Sequence, residues 1–149
     1  MHLKGDHDFN APVERIWNML MDVDTLAKIT PGITKLEAVG EDQYKAIADV
    51  KMGPVRGSFS GDLEVADKQP TESFSLKISQ KSKIGNVSAD VAIRLESLSA
   101  TETKLLFDGK ARLSGLLART GQRVLSGVAN TLSKQFFKAL SEELENTAS

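Results

Sequence analysis

Few side chains in this sequence have both the type and the spacing to do chemistry. His2 and His7 stand on one strand-like stretch at odd spacing, so their rings face opposite sides. No cysteine and no third histidine completes a metal-ligand set. A serine nucleophile would need a G-x-S-x-G turn and a partnered histidine, and neither is present. The carboxylates mostly occupy outward positions of alternating segments, which leaves no acid–base pair for an interior site. Ligand-binding groups are what remain. Gln80 falls in register with Phe74, Leu76 and Ile78, and Tyr44 leads an apolar set. Either can hydrogen-bond a ligand carbonyl, or else Tyr44 keeps its hydroxyl in water at the sheet edge and Gln80 lies beyond the buried stretch. Trp17, the sole tryptophan, either packs in the core or lines a pocket mouth.

The elements that would position these groups are strands with small residues on their apolar side. One face reads Tyr44, Ala46, Ala48, Val50, Met52, and the next Val55, Gly57, Phe59, Gly61, Leu63, Val65. Two more read Val87, Ala89, Val91, Ile93, Leu95 and Leu105, Phe107, Gly109, Ala111, Leu113. Successive strand side chains alternate, so each set lines one surface of a sheet. Ala where a filled core holds Leu costs about 2–5 kcal/mol unless something refills the space. Either the glycines let strands bend and a helix approach closely, or the inner face encloses a ligand pocket of about 300–1,000 Å³.

The chain reads as strand, two short helices, six strands and a long helix. Leu3 to Phe9 form the first strand, and Asn10 caps a helix with Pro12 in its first turn and a Val13, Ile16, Trp17, Leu20 stripe. Asp22 or Asp24 caps a second helix that stops at Thr30-Pro31-Gly32. Strands follow at about 33–40, 43–52, 54–66, 72–83, 86–98 and 103–114, joined by short turns as in an antiparallel meander. The Met52-Gly53-Pro54 turn has the look of a tip that gates an opening. From Leu116 to Leu144 the period becomes helical over about 30 residues, or roughly 45 Å, enough to cover the apolar face. Gly115, Gly121 and Gly127 would permit a close approach of that helix, and its acidic end (Glu142, Glu143, Glu145) opposes the helix dipole and predicts fraying.

With 149 residues, 40% hydrophobic and 26% charged, the composition suits one domain spanning 1–149. A net charge of −1 gives no global field for nucleic acid. The amino terminus lacks the basic-then-apolar order of a secretory leader, and no apolar run reaches a membrane span. A cytoplasmic protein, at most touching the inner membrane face, is the expectation. Arg112, Arg119, Arg123, Lys134 and Lys138 form either a solvated face or one that meets anionic lipid or an acidic partner.

This order matches the α+β helix-grip fold of the START/Bet v 1-like (SRPBCC) superfamily, a curved seven-stranded antiparallel sheet around a long C-terminal helix. Four segments resemble the carbon monoxide dehydrogenase CoxG family: APVERIW at 11–17, Pro31-Gly32 followed by Leu36 to Gly40 and Tyr44, KMGPVRGSF at 51–59 with Gly61, and the helix from Leu116 to Phe137 with GQRVLSGVA at 121–129. The resemblance implies a non-catalytic accessory protein with an apolar tunnel, serving a molybdenum hydroxylase of the CO dehydrogenase type or its assembly and membrane recruitment. It implies no firm cofactor beyond a bound quinone or other lipid. The chain departs from the family pattern at Ile33, where a polar residue or Cys is common, and it stops at Ser149 where some members continue to an anchor.

Together these readings place a ligand between sheet and helix, against Trp17, Tyr44, Ala46, Ala48, Val50, Gly57, Phe59, Gly61, Ile78, Gln80, Ala89, Val91, Phe107, Gly109, Gly121, Val124 and Val128. Two other classes compete with the carrier. A polyketide cyclase-like enzyme of the same superfamily would need a polar dyad in the pocket, and a pure assembly factor would have a vestigial one.

Overall fold

The computed structural model describes residues 1–147. Seven strands form one antiparallel sheet in the order β1-β7-β6-β5-β4-β3-β2: β1 (His2–Phe9), β2 (Ile33–Gly40), β3 (Gln43–Met52), β4 (Val55–Gln69), β5 (Ser73–Ser82), β6 (Gly85–Ser99) and β7 (Glu102–Leu113). Consecutive strands from β2 to β7 are sequential neighbours, and β1 closes the far edge against β7 with His2 opposite Lys110. Along β3 and β4 the alternation holds: Ala46, Val55, Phe59 and Val65 are buried, while Lys45, Asp49, Arg56, Ser58 and Asp62 are exposed. One face is wet and the other needs a cover.

The cover comes from four helices, α1 (Val13–Leu20), α2 (Val23–Ile29), α3 (Gly115–Arg119) and α4 (Gln122–Thr147). In α1 the stripe of Ile16, Trp17 and Leu20 is buried as its spacing requires. The helix starts after Pro12, whose carbonyl accepts from the Arg15 and Ile16 amides; Asn10 lies outside it, which corrects the expected cap. Asp22 does cap α2, accepting from the Thr25 amide at 3.1 Å.

The expected 30-residue helix is two helices. Gly121 adopts φ +102°, outside the right-handed helical region, and separates α3 from α4. The sheet ties α3 down: the Leu117 amide donates to the Ile84 carbonyl at 2.9 Å and the Asn86 amide to Ser114 Oγ at 3.0 Å. What crosses the sheet is the 26-residue α4, about 39 Å at the usual rise. Its acidic end is held rather than frayed within the described residues. Arg15 donates at 2.7 Å to the Leu144 carbonyl and to Thr147 Oγ1, supplying the cation that the last turn lacks, and Lys28 pairs with Glu143 at 3.3 Å.

Under the sheet the buried side chains fall into two groups. The larger joins α1, α2 and the distal half of α4 to the sheet, with Phe9, Ile16, Ile29, Leu105 and Leu140 at most 2% exposed. Phe137 lies among His7, Phe9, Phe107 and Phe136, with ring centroids 5.1–6.0 Å away. The smaller, at the opposite end, contains Val55, Phe59, Leu117 and Leu125.

The glycines divide between close approach and open space. A Cβ on Gly61 would sit 2.0 Å from the Ser79 carbonyl oxygen, whereas one on Gly127, inside α4, would meet nothing within 4 Å. Gly127 and Gly121 therefore do not bring the helix close to anything, contrary to the expectation. Gly61→Ala should destabilise by about 2–3 kcal/mol, because the backbone of β5 has to move. Gly127→Ala should stabilise by about 0.5–1 kcal/mol by restricting the unfolded chain. Urea denaturation of the two variants reads both signs.

Candidate functional site

Between the two buried groups, the sheet and the proximal half of α4 do not meet. A cavity of about 350 Å³ lies there, within the size range of small-molecule sites. The sheet supplies its floor: Ala46, Ala48 and Val50 from β3, Phe59 and Leu63 from β4, and Ile78 and Gln80 from β5, then Val87, Ala111 and Leu113 beyond. The roof is Leu117 of α3 with Leu125, Val128, Ala129 and Leu132 of α4, and Thr30, Pro31 and Ile33 close one side. The reason for the space is local. Ala46, Ala48 and Ala111 stop at Cβ, and the break at Gly121 sets α3 and α4 over the sheet end at separate angles.

The wall is chemically plain. No side chain lining it carries a carboxylate, imidazole, ammonium or guanidinium, and its side-chain polar groups are those of Thr30 and Gln80. Gln80 projects inward, opposite Gly61 on one side and Val87 on the other. Its Oε1 is buried without a hydrogen-bond partner. A buried acceptor left unpaired costs about 1–3 kcal/mol, so the atom is poised for a donor that enters the cavity. The groups with displaced titration lie elsewhere, on exposed surface. Asp108 is held below its ordinary pKa by a hydrogen bond from His2, and Lys68 is raised by its hydrogen bond to Asp42.

Of the residues expected at the ligand, seven share this wall: Ala46, Ala48, Val50, Phe59, Ile78, Gln80 and Val128. The others lie outside it, each for a definable reason. Trp17 is core, edge-on to Phe74 at 5.6 Å, and Tyr44 packs half-buried on the same group. Phe107 belongs to the Phe137 aromatic group. A Cβ on Gly57 would touch Ile84 at 3.6 Å, and Gly61 faces the β5 backbone. A Cβ on Gly109 would meet Val91 at 3.2 Å, so these two fill one another's space, and Ala89 sits between Ile78 and Ala111 without reaching the wall. Gly121 and Val124 point to solvent. The roof residues Leu125 and Leu132 were visible in the helical stripe, but that stripe reads equally as plain cover.

Residues 5–145 match the sequence model of the carbon monoxide dehydrogenase CoxG family. The chain belongs to the CoxG family. In structure, this CoxG-family chain is similar to a conserved protein from Geobacillus kaustophilus, with TM-score 0.96 and 32% identity over 99% of this chain and 97% of that one. It is also similar to a START superfamily protein from Mycobacterium smegmatis, at TM-score 0.77 and 12% identity over 97% of both chains. A third is the Zhui aromatase/cyclase from a Streptomyces species, at TM-score 0.73 and 19% identity over 100% of this chain and 96% of that one. The last two likenesses show the START/Bet v 1-like helix-grip fold. No curated protein matches the chain in sequence. Among the described residues, no helix is long and apolar enough to cross a membrane.

Proposed function

We propose that this CoxG-family chain is a non-catalytic carrier of a lipophilic ring compound, a quinone or a lipid of similar head group, serving an oxidoreductase of the CO dehydrogenase type. The observation that carries the reading is the cavity, whose wall is apolar apart from Thr30 and the unpartnered Gln80. Burial of apolar surface there supplies affinity at about 25 cal/mol per Å². Its volume equals the liquid volume of about a dozen water molecules. That accommodates a ring system and leaves a long isoprenoid tail to exit through the mouth.

Gln80 orients the passenger. Its Oε1 accepts from a hydroxyl, as in a quinol or phenol, and its amide nitrogen can donate to a carbonyl. A cyclase would need side chains that move protons at the substrate, and the wall supplies none that titrates. Solvent extraction of the purified protein followed by mass spectrometry tests the carrier. Recovery of a stoichiometric quinone or lipid supports it; an empty protein that also takes up no quinone in a titration contradicts it. Gln80→Leu is expected to raise thermal stability while weakening a hydroxylated naphthalene about tenfold and leaving the parent hydrocarbon unchanged. Paired titrations of the two compounds read that difference, and equal losses for both would remove Gln80 from the orienting role.

A further inference from the structure

One end of the molecule concentrates positive charge to a degree that the net charge of −1 conceals. The β3–β4 turn, the β5–β6 turn and the α3 elbow all lie at this end of the sheet. Lys51 and Arg56 flank the first turn, and Lys81 and Lys83 belong to the second. Arg112, Arg119 and Arg123 accompany the end of β7 and the two helices. Segments 51–56, 81–86 and 112–123 thus hold seven of the 19 basic residues and none of the 20 acidic ones. All seven are exposed, and no ion pair among the described residues involves any of them. Elsewhere Lys28, Lys35, Lys45, Lys68, Arg94 and Lys104 each have a carboxylate within 4 Å.

Apolar side chains protrude within the same end. Leu116 is 57% exposed and Val124 is 41% exposed, on either side of Gly121. Their chain neighbours Leu117 and Leu125 turn the other way and roof the cavity. The segment 116–125 is therefore a thin partition, with solvent-facing apolar groups and arginines outside and the ligand space directly behind.

We infer that this end docks on an anionic lipid surface, with Leu116 and Val124 dipping into the interface and the basic residues meeting headgroups. The charge complementarity fits lipid phosphate. The protruding apolar pair and the adjoining apolar cavity favour a bilayer over an acidic protein, because a bilayer also holds water-insoluble passengers. Why docking is useful rests on the carrier reading; the surface itself does not. Gly121, at φ +102° with nothing within 4 Å of its Cβ direction, marks where the partition can bend to open the cavity toward the lipid.

Co-sedimentation with vesicles tests this. The protein should bind phosphatidylcholine vesicles containing phosphatidylglycerol and ignore phosphatidylcholine alone, with binding that falls as salt rises. Each Lys or Arg near such a surface contributes about fivefold in partition, so Arg119→Glu with Arg123→Glu should weaken binding by at least about twentyfold. Leu116→Ser with Val124→Ser should weaken it about tenfold at the same salt dependence. These positions are exposed, so unchanged melting curves confirm that the variants fold. No preference for the anionic vesicles, or binding indifferent to both double variants, overturns the docking surface. An acidic protein partner captured at this end without vesicle binding does so too. Quinone binding measured on the same variants without vesicles keeps the two readings apart: intact uptake with lost docking spares the carrier, and docking without uptake spares the surface.

Discussion

Ala48→Phe should reduce affinity for an apolar ring ligand by at least about a hundredfold while the protein remains folded. Ala48 lies on β3 opposite Phe59 of β4 and Ile33 of β2, and all three face the cavity. A ring ligand buries about 150–250 Å², which at about 25 cal/mol per Å² amounts to roughly 4–6 kcal/mol of attraction. A phenyl group at position 48 would occupy much of that space and remove most of the attraction, and each 1.4 kcal/mol is about tenfold in affinity. In a filled core the same insertion costs about 1–3 kcal/mol through displaced neighbours. Here the 350 Å³ cavity receives the ring, so the melting temperature should hold or rise. Calorimetric titration with a simple naphthoquinone, beside a melting curve, separates the two effects. Gly57, which the strand alternation alone recommends for such filling, is the wrong position, since a side chain there meets Ile84 first.

The second large effect comes from cutting the same helix at two places. Leu140 of α4 is fully buried in the group with Phe9, Ile16, Phe137 and Leu144. Leu140→Ala should cost about 3–5 kcal/mol, the lost transfer energy together with a new cavity. Leu132, two turns earlier, is half-buried and borders space that already exists. Leu132→Ala adds little new cavity, and its cost should be about 1–2 kcal/mol. For a chain of this length each kcal/mol shifts Tm by about 2–4 °C, so the two variants should melt several degrees apart. Equal losses would mean that α4 packs on the sheet with uniform density, leaving no room for a passenger.

The alternating strands were readable because side-chain period two shows directly which residues share a face. The observed ends of β2 and β3 coincide with the expected ones, and the other strands differ by one to three residues. The break in the long helix was harder to read. Leu116, Leu117, Val124 and Leu125 look like one stripe, yet Gly121 leaves the helical region and turns Leu116 and Val124 outward while Leu117 and Leu125 face in. Alternation also says nothing about depth along a strand. Val91 and Gly109 share the inner face with Ala111 and Leu113, yet the first two fill each other's space and the last two line the cavity. Where the helix presses on the sheet and where it stands off is decided by tertiary contacts, chiefly the large aromatic group around Phe137 at one end. Gln80 was legible as an inward polar residue; that its Oε1 would lack a partner was not.

The most direct measurement of the central claim is an NMR titration of methyl-labelled alanines with a simple naphthoquinone. Ala46, Ala48, Ala111 and Ala129 line the cavity, whereas Ala11 is buried in the opposite core and Ala139 packs against it. Saturable shifts confined to the first four, leaving Ala11 and Ala139 in place, are the predicted result. A titration that moves none of the four, or moves Ala11 and Ala139 equally, would contradict a carrier that holds its passenger between the sheet and α4.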